Sequence, residues 1–252
     1  MLKVTALDVS IAAVEVCRGL ELTLAPGESL AVLGRNGAGK STLLATLAGL
    51  RPVQRGSVSI GGIALPARDG RALATLRGYL AQQQHDAFAS EVLEAVLAGR
   101  HPHLTRWEWE ADSDQRIAEQ ALSEVGLGGF GRRALHTLSG GERQRVALAT
   151  LLAQQPSLYL VDEPLTHLDL NHQIATLEIL ARLTRSGAAV VAVMHDPSLA
   201  LRYFGRVLLL FGQGEWLAGA ASTVLTADNL SRLYGHPLSR VDGDRHTVFV
   251  PD

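Results

Sequence analysis

The nine residues Gly34-Arg35-Asn36-Gly37-Ala38-Gly39-Lys40-Ser41-Thr42 constrain this chain more than any other stretch. They follow the apolar run Leu30 to Leu33 and precede Leu43, Leu44 and Leu47, which fall on one helical face. The order is therefore strand, glycine turn, helix N-terminus, in the pattern G-x-x-x-x-G-K-[ST]. Such a turn points free backbone N–H groups at one spot, where an anion satisfies them. Glycine lets the backbone bend and approach a phosphate closely. Gly34, Asn36, Gly37, Gly39, Lys40, Ser41 and Thr42 are thus expected to cradle a nucleoside triphosphate. Lys40 belongs over its β- and γ-phosphates, and the Ser41 hydroxyl is placed to ligate Mg²⁺. A plain glycine turn before an ordinary helix would not need the whole pattern with both flanks.

Composition narrows the setting. With 252 residues the chain can bury a sizeable core as one large domain or a domain with a lobe. A net charge of −2 and few aromatics give no basic stripe for a dedicated nucleic-acid binder, so no nucleic-acid partner is expected. Cys17 stands alone, which excludes a disulfide framework and a thiolate metal cluster. The opening alternation Leu2, Val4, Ala6 lacks the basic and apolar segments of a signal peptide. No apolar run approaches the ~20 residues of a membrane-spanning helix. A cytosolic protein is expected, unless something else holds it to a membrane.

Along the chain, residues 2–9 and 20–24 alternate like half-buried strands, and Gly56 to Gly62 repeats that texture. An antiparallel sheet near the start is expected. Val92, Ala95, Val96 and Gly99, then Ile117, Ala121 and Val125, recur at helical spacing. Beyond them, strands at Leu158–Asp162, Ala189–Met194 and Arg206–Phe211 alternate with helices near 142–154 and 170–185. That alternation implies an α/β fold with a parallel sheet. The expected division is a nucleotide-binding core from 1–86 and 141–220, an inserted helical subdomain at 87–140, and a short C-terminal extension at 221–252. That extension should hold a helix near Ala227–Tyr234 and a strand at Thr247 to Val250.

Two further stretches carry chemistry. Leu158 to Val161 is an apolar strand ending in Asp162 and Glu163. At a strand end beside the phosphate loop, Asp162 can hold Mg²⁺ through water and Glu163 can polarise the attacking water as general base. Ser139 and Glu142 form S-x-x-E, a capping box opening a helix through Val146, Ala149 and Leu152. Gly140 and Gly141 bare the positive end of that helix, making a second anion site. Two phosphate-binding helix ends in one chain suggest that the second serves another chain's nucleotide.

The order of Gly34–Thr42, Gln82, Leu138–Glu142, Asp162-Glu163, Leu168-Asp169 and His195 resembles the ATP-binding cassette ATPases over nearly the whole chain. The resemblance implies a P-loop NTPase (RecA-like) core with an antiparallel β subdomain and an inserted α-helical subdomain. It implies a homodimer sandwiching two ATP molecules, each between one subunit's phosphate loop and the other's Ser139–Gly141 segment. Gln82 looks like the family's lever glutamine at Mg²⁺ and the attacking water, with Gln83 and Gln84 as near-register competitors. His195 looks like the histidine that contacts the γ-phosphate, and Asp169 like the residue linking the two sites. The family usually stacks an aromatic on adenine, and here Ile11 holds that place with no aromatic nearby.

Leu168-Asp169-Leu170-Asn171-His172-Gln173 and Ala98 to His103 are similar to ATPases of importers for ferric siderophores, haem and cobalamin. Tyr79 to Gln84 and Val224 to Gly235 are most similar to the cobalamin group. That kinship implies integral membrane permease subunits, a periplasmic or extracellular substrate-binding protein reached indirectly, and a peripheral place on the cytoplasmic face of the membrane. Trp107 and Trp109 are candidates for the docking surface, while His101 and His103 read as surface-loop residues rather than metal ligands. The alternative is a soluble cassette ATPase of DNA repair or translation. Such proteins carry paired cassettes, coiled-coil insertions or zinc cysteines, and none of these features is present.

Overall fold

The computed structural model describes residues 1–12, 14–67, 69–82, 90–105, 109–243 and 246–252. Its centre is a six-stranded sheet in the order β10 (Glu215–Ala220), β9 (Arg206–Gly212), β3 (Ser29–Gly34), β8 (Ala189–Val193), β7 (Leu158–Asp162), β6 (Arg77–Leu80). All neighbours pair in parallel except β9 and β10. A parallel sheet is covered on both faces, so its strands read as continuous apolar runs. Alternate residues then feed opposite cores. Leu30 and Val32 of β3, Leu158 and Leu160 of β7, and Val191 and Val193 of β8 enter one buried cluster. Ala31 and Leu33, Tyr159 and Val161, and Val190 and Ala192 enter the other.

The first core lies under an antiparallel sheet in the order β2 (Val14–Leu24), β1 (Leu2–Ile11), β4 (Arg55–Ile60), β5 (Ile63–Ala64). It also takes Leu43, Leu44 and Leu47 of α1 (Lys40–Leu47). The expected strands at 2–9 and 20–24 are the outer parts of one long hairpin. Its β1–β2 register shifts three times, and the neighbours Val16 and Cys17 are both buried. Each irregularity breaks the two-residue period that would have announced residues 14–19 as strand.

The second core is covered by helices. α5 (Gly140–Gln154), α6 (Leu170–Arg185) and α7 (Pro197–Tyr203) follow the parallel strands, while α2 (Gly70–Leu76) leads into β6. α3 (Val92–Leu97), a 3₁₀ segment at Ala98–His103 and α4 (Asp112–Glu124) pack on α5. Two buried charges fasten this group. Arg100 donates to Asp114 Oδ1 at 2.8 Å, to the Ala153 carbonyl at 2.8 Å and to Gln155 Oε1 at 3.1 Å. Asp114 Oδ2 accepts the Ala111 amide at 3.0 Å. A buried pair is tolerated when its remaining donors and acceptors are met in this way. The chain closes with α8 (Ala221–Val224), α9 (Ala227–Tyr234) and a hairpin of β11 (Leu238–Asp242) and β12 (Thr247–Pro251), β12 lying against α7.

Gly99 is where the 3₁₀ segment meets α5 most closely: a Cβ there would lie 2.2 Å from the Thr150 carbonyl oxygen. Because the obstacle is helix backbone, Gly99→Ala should cost roughly 1–3 kcal/mol by overpacking and lower Tm by roughly 2–10 °C. Gly70→Ala meets nothing within 4 Å and is the control, with Tm expected to hold. Thermal melting of the two variants side by side decides it.

Candidate nucleotide site

β3 ends at Gly34, and the chain turns through exposed Arg35, Asn36 and Gly37 into α1. Helix α1 starts from Gly39 without any side-chain cap, so its first-turn amides are open to an anion. Gly39 has φ +86°, and a Cβ there would strike Val16 Cγ2 at 2.3 Å. Only glycine meets both demands. Val16, not singled out from the sequence, is thus the residue that seats the loop on the antiparallel sheet. Lys40 is buried, and its Nζ donates to the carbonyl oxygens of Gly34 at 3.0 Å and Arg35 at 3.2 Å. Burial pushes its ammonium below the ordinary range, while the Glu163 and Asp162 carboxylates pull it partly back.

Parallel pairing brings the other groups to the same edge. Asp162 sits opposite Val193, and Val193 opposite Val32. Asp162 is buried with Oδ1 unpartnered among the described residues, and its carboxyl takes a hydrogen bond from Ser41. Burial raises its pKa above the usual carboxylate value, and the Ser41 bond offsets part of that. Glu163, one residue on, has φ +49°, an uncommon backbone state for a non-glycine residue and a mark of functional sites. Its carboxylate is held on both sides: Gln82 Nε2 donates to Oε2 at 2.9 Å, and His195 Nε2 lies 2.8 Å from Oε1. Thr166, also unmarked in the sequence, adds a long hydroxyl contact of 3.4 Å to Oε2. Lys40, Ser41, Gln82, Asp162, Glu163 and His195 therefore form one cluster. Gln83 and Gln84, the competing glutamines, lie outside the described residues.

Ser139, Gly140, Gly141 and Asp169 stand apart from that cluster. Ser139 caps α5 by accepting from the Glu142 amide at 3.2 Å, and Glu142 Oε2 accepts the Ser139 amide at 2.7 Å. Those bonds hold the Glu142 carboxyl below its usual range. Ser139 and Gly140 are exposed, so this helix start faces solvent. Gly141 is required by packing, since a Cβ there would lie 2.9 Å from the His167 carbonyl oxygen. Asp169 caps α6, accepting the His172 amide at 2.9 Å with the His172 ring at 2.8 Å.

The remaining candidates are simply placed. Ile11 lies opposite Val14 in the β1–β2 pairing, both partly exposed. His103 Nε2 is 2.7 Å from the Gln154 carbonyl, His101 lies 3.7 Å from Glu110, and Trp109 is 88% exposed. Trp107 lies outside the described residues. Among the described residues no group of three or more His, Cys, Asp or Glu could hold a metal, and no helix is long and apolar enough to cross a membrane. Cys17 is buried, and burial pushes its thiol to about 12.

A parallel sheet with a glycine loop, a buried lysine and a strand-end carboxylate pair at one edge defines a P-loop nucleotide hydrolase. The ABC transporter family profile matches residues 17–166, and the chain belongs to that family as an ATP-hydrolysing subunit. It is 43% identical over 243 residues to the hemin import ATP-binding protein HmuV of Gloeobacter violaceus, covering 93% of this chain and 87% of that protein. It is 39% identical over 230 residues to the cobalamin import ATP-binding protein BtuD of Halobacterium salinarum, covering 91% of this chain and 57% of that one. Among solved structures, a protein described as a metal-chelate type ABC transporter in an inward-facing conformation superposes with a TM-score of 0.86 at 31% identity. That match covers 100% of this chain and 97% of the other. A dimeric ATP-binding cassette bound to ADP and Pi, in a post-hydrolysis state, gives 0.75 at 26% identity over 88% of this chain and 99% of its own. The fold is the ABC ATPase variant of the P-loop NTPase core.

Burial makes the charged form of Asp162 costly to the fold. A carboxyl whose pKa rises on folding loses stability as pH climbs through the raised value and recovers it below. In chelator and without nucleotide, Asp162→Asn should melt above the parent at pH 8, with the gap narrowing as pH falls. A lower Tm for the variant at pH 8 would contradict this.

Proposed function

We propose that the chain powers uptake of a metal chelate through a membrane permease, hydrolysing ATP between two copies of itself. The observation that carries the catalytic part is Glu163 held by Gln82 and His195 beside Lys40. Glu163 acts as general base on the attacking water, Gln82 orients that water, and His195 contacts the γ-phosphate. Lys40 and the open amides of α1 neutralise the phosphate chain, with Gly34, Asn36, Gly37, Gly39 and Thr42 shaping the loop. Release of Glu163 from its two partners is the rearrangement that nucleotide would drive, because both partners would turn toward the phosphate.

Mg²⁺ fits the residues present. The unpartnered buried Oδ1 of Asp162, the Ser41 hydroxyl and the Gln82 amide offer the oxygen ligands this hard cation takes. When bound, it neutralises charge developing on the β- and γ-phosphates.

The helix start with Ser139 and Gly140 exposed supports the two-copy reading, because it offers an anion site apart from the chain's own phosphate loop. Two-fold closure would pair each phosphate loop with the other copy's Ser139 turn, with Asp169 at the join. ATP then favours the closed pair because only that state supplies both sets of phosphate contacts. The core at 1–86 and 141–220 would move as one lever, and the subdomain at 87–140, with Trp109 on its surface, would carry the motion to the permease. The protein would sit at the cytoplasmic face of the membrane, and a substrate-binding protein would deliver cargo from outside. The hemin relative named above is the more identical, which favours haem ahead of cobalamin or a ferric siderophore. Relatives devoted to import weigh against a role in DNA repair or translation.

Lys40→Ala should abolish turnover, leaving phosphate release at background; hydrolysis at the parental rate would refute the site. Glu163→Gln should bind ATP without cleaving it and elute as a dimer with ATP and Mg²⁺ on gel filtration, where a persistent monomer would sink the sandwich. Cargo is decided by reconstituting the chain with its permease in vesicles and comparing uptake of labelled haem, cobalamin and a ferric siderophore.

A further inference from the structure

The end of α9 touches two loops of the nucleotide site at once. The Tyr234 hydroxyl donates to the main-chain carbonyl oxygen of His195 at 3.3 Å. Next along, Gly235 is the left-handed C-cap of α9, with φ 72°. The guanidinium of Arg35, from the phosphate loop, lies against it, 3.6 Å from where a Cβ would stand. A helix C-terminus carries partial negative charge, so the cation is favourably placed there. The same C-terminal segment makes a third tie through β12. The Phe249 amide donates to Ser198 Oγ at 3.2 Å, and the Ser198 amide donates to Asp196 Oδ1 at 2.7 Å. Asp196 caps α7 and directly follows His195.

The Tyr234 ring packs on the helical core, which limits its freedom. Burial pushes its phenol up to about 12, so the hydroxyl keeps its proton and remains a donor through the physiological range. His195 itself is half exposed, and its ring meets Glu163 Oε1 at 2.8 Å. A loop in that situation takes its geometry from main-chain anchors.

We propose that Tyr234 is a positioning residue for His195, and that the Tyr234-Gly235 corner sets the phosphate loop and the His195 loop at a fixed separation. The proposal rests on the reading of His195 as the γ-phosphate contact. It gives residues 221–252 a role in turnover: a displacement of α9 moves both sides of the γ-phosphate position together. The hydroxyl acts through the His195 peptide and does not reach the reacting atoms. Its loss therefore falls on kcat rather than on affinity for nucleotide, which the intact phosphate loop dominates.

The test uses the full chain and Tyr234→Phe, which keeps the ring and removes only the hydroxyl. Steady-state turnover with MgATP should show kcat reduced roughly 3–10-fold with KM within about twofold. NMR of histidine-labelled protein, with the His195 signal assigned by its loss in His195→Ala, should show a moved His195 resonance. A parental kcat, or a lowered kcat with the His195 signal unmoved, would overturn the proposal. His195→Ala separates the two levels. If it turns over normally, the γ-phosphate reading of His195 fails; if it is inactive while Tyr234→Phe matches the parent in rate and spectrum, only the positioning proposal fails.

Discussion

Parallel strand register is the constraint on which the site depends. Val32, Val193 and Asp162 stand level across β3, β8 and β7 because each strand hydrogen-bonds the next in one alignment. The loops that leave those strands therefore emerge at one edge: the phosphate loop after Gly34, the carboxylate pair at 162–163, and His195. A slip of one residue in β7 would turn Asp162 to the opposite face and exchange every buried contact of that strand between the two cores. Full burial of β3, β7 and β8 makes such a slip costly, since both faces are already packed. The catalytic geometry is thus stabilised by hydrophobic alternation several residues away from any charge.

Against that rigid edge the charges are placed uncomfortably. Lys40 and Asp162 are both buried, and burial moves the ammonium down and the carboxyl up, each toward its neutral form. Neither shift would arise if the pair simply neutralised each other at short range. The lysine instead spends its hydrogen bonds on loop carbonyls, and one oxygen of the aspartate has no described partner. Left-handed backbone at Glu163 adds a cost of about 1–3 kcal/mol. Buried groups placed this way are better satisfied by a ligand that brings both anionic oxygens and a divalent cation.

What could be read from the sequence follows from the range of the interactions involved. The phosphate loop, the strand into Asp162, α6 at Leu170–Arg185 and α9 at Ala227–Tyr234 were legible because periodicity and caps are local. The first helix turn at Gly140 was legible from the Ser139–Glu142 capping box, although two glycines by themselves argue against a helix there. Strand order was not legible at all. The β3 strand sits between β8 and β9, which follow it by more than 150 residues, and only crossover packing decides that. The hold of Gln82 and His195 on Glu163 joins three separate strand ends, so no spacing rule reveals it. Tyr234 was legible only as the end of a helix; its partner is main chain at His195, and main-chain acceptors leave no trace in side-chain patterns.

The segment from Glu163 to Asp169 joins the Glu163 cluster to the backbone under the Ser139 turn. At its start Glu163 is gripped by Gln82 and His195. Near its end His167, with φ 64°, lays its carbonyl against Gly141, so close that no side chain fits between. Asp169 then anchors the run to α6. Both left-handed residues sit inside this short stretch, and Leu168 between them and the cap is buried. A segment so bent and so tightly pinned at both ends has little slack to absorb motion. Close packing of this kind favours discrete arrangements over smooth deformation, so the backbone under the Ser139 turn and the position of Glu163 are set together. The two ends of the same seven residues thus lie at the Glu163 cluster and at the Ser139 turn.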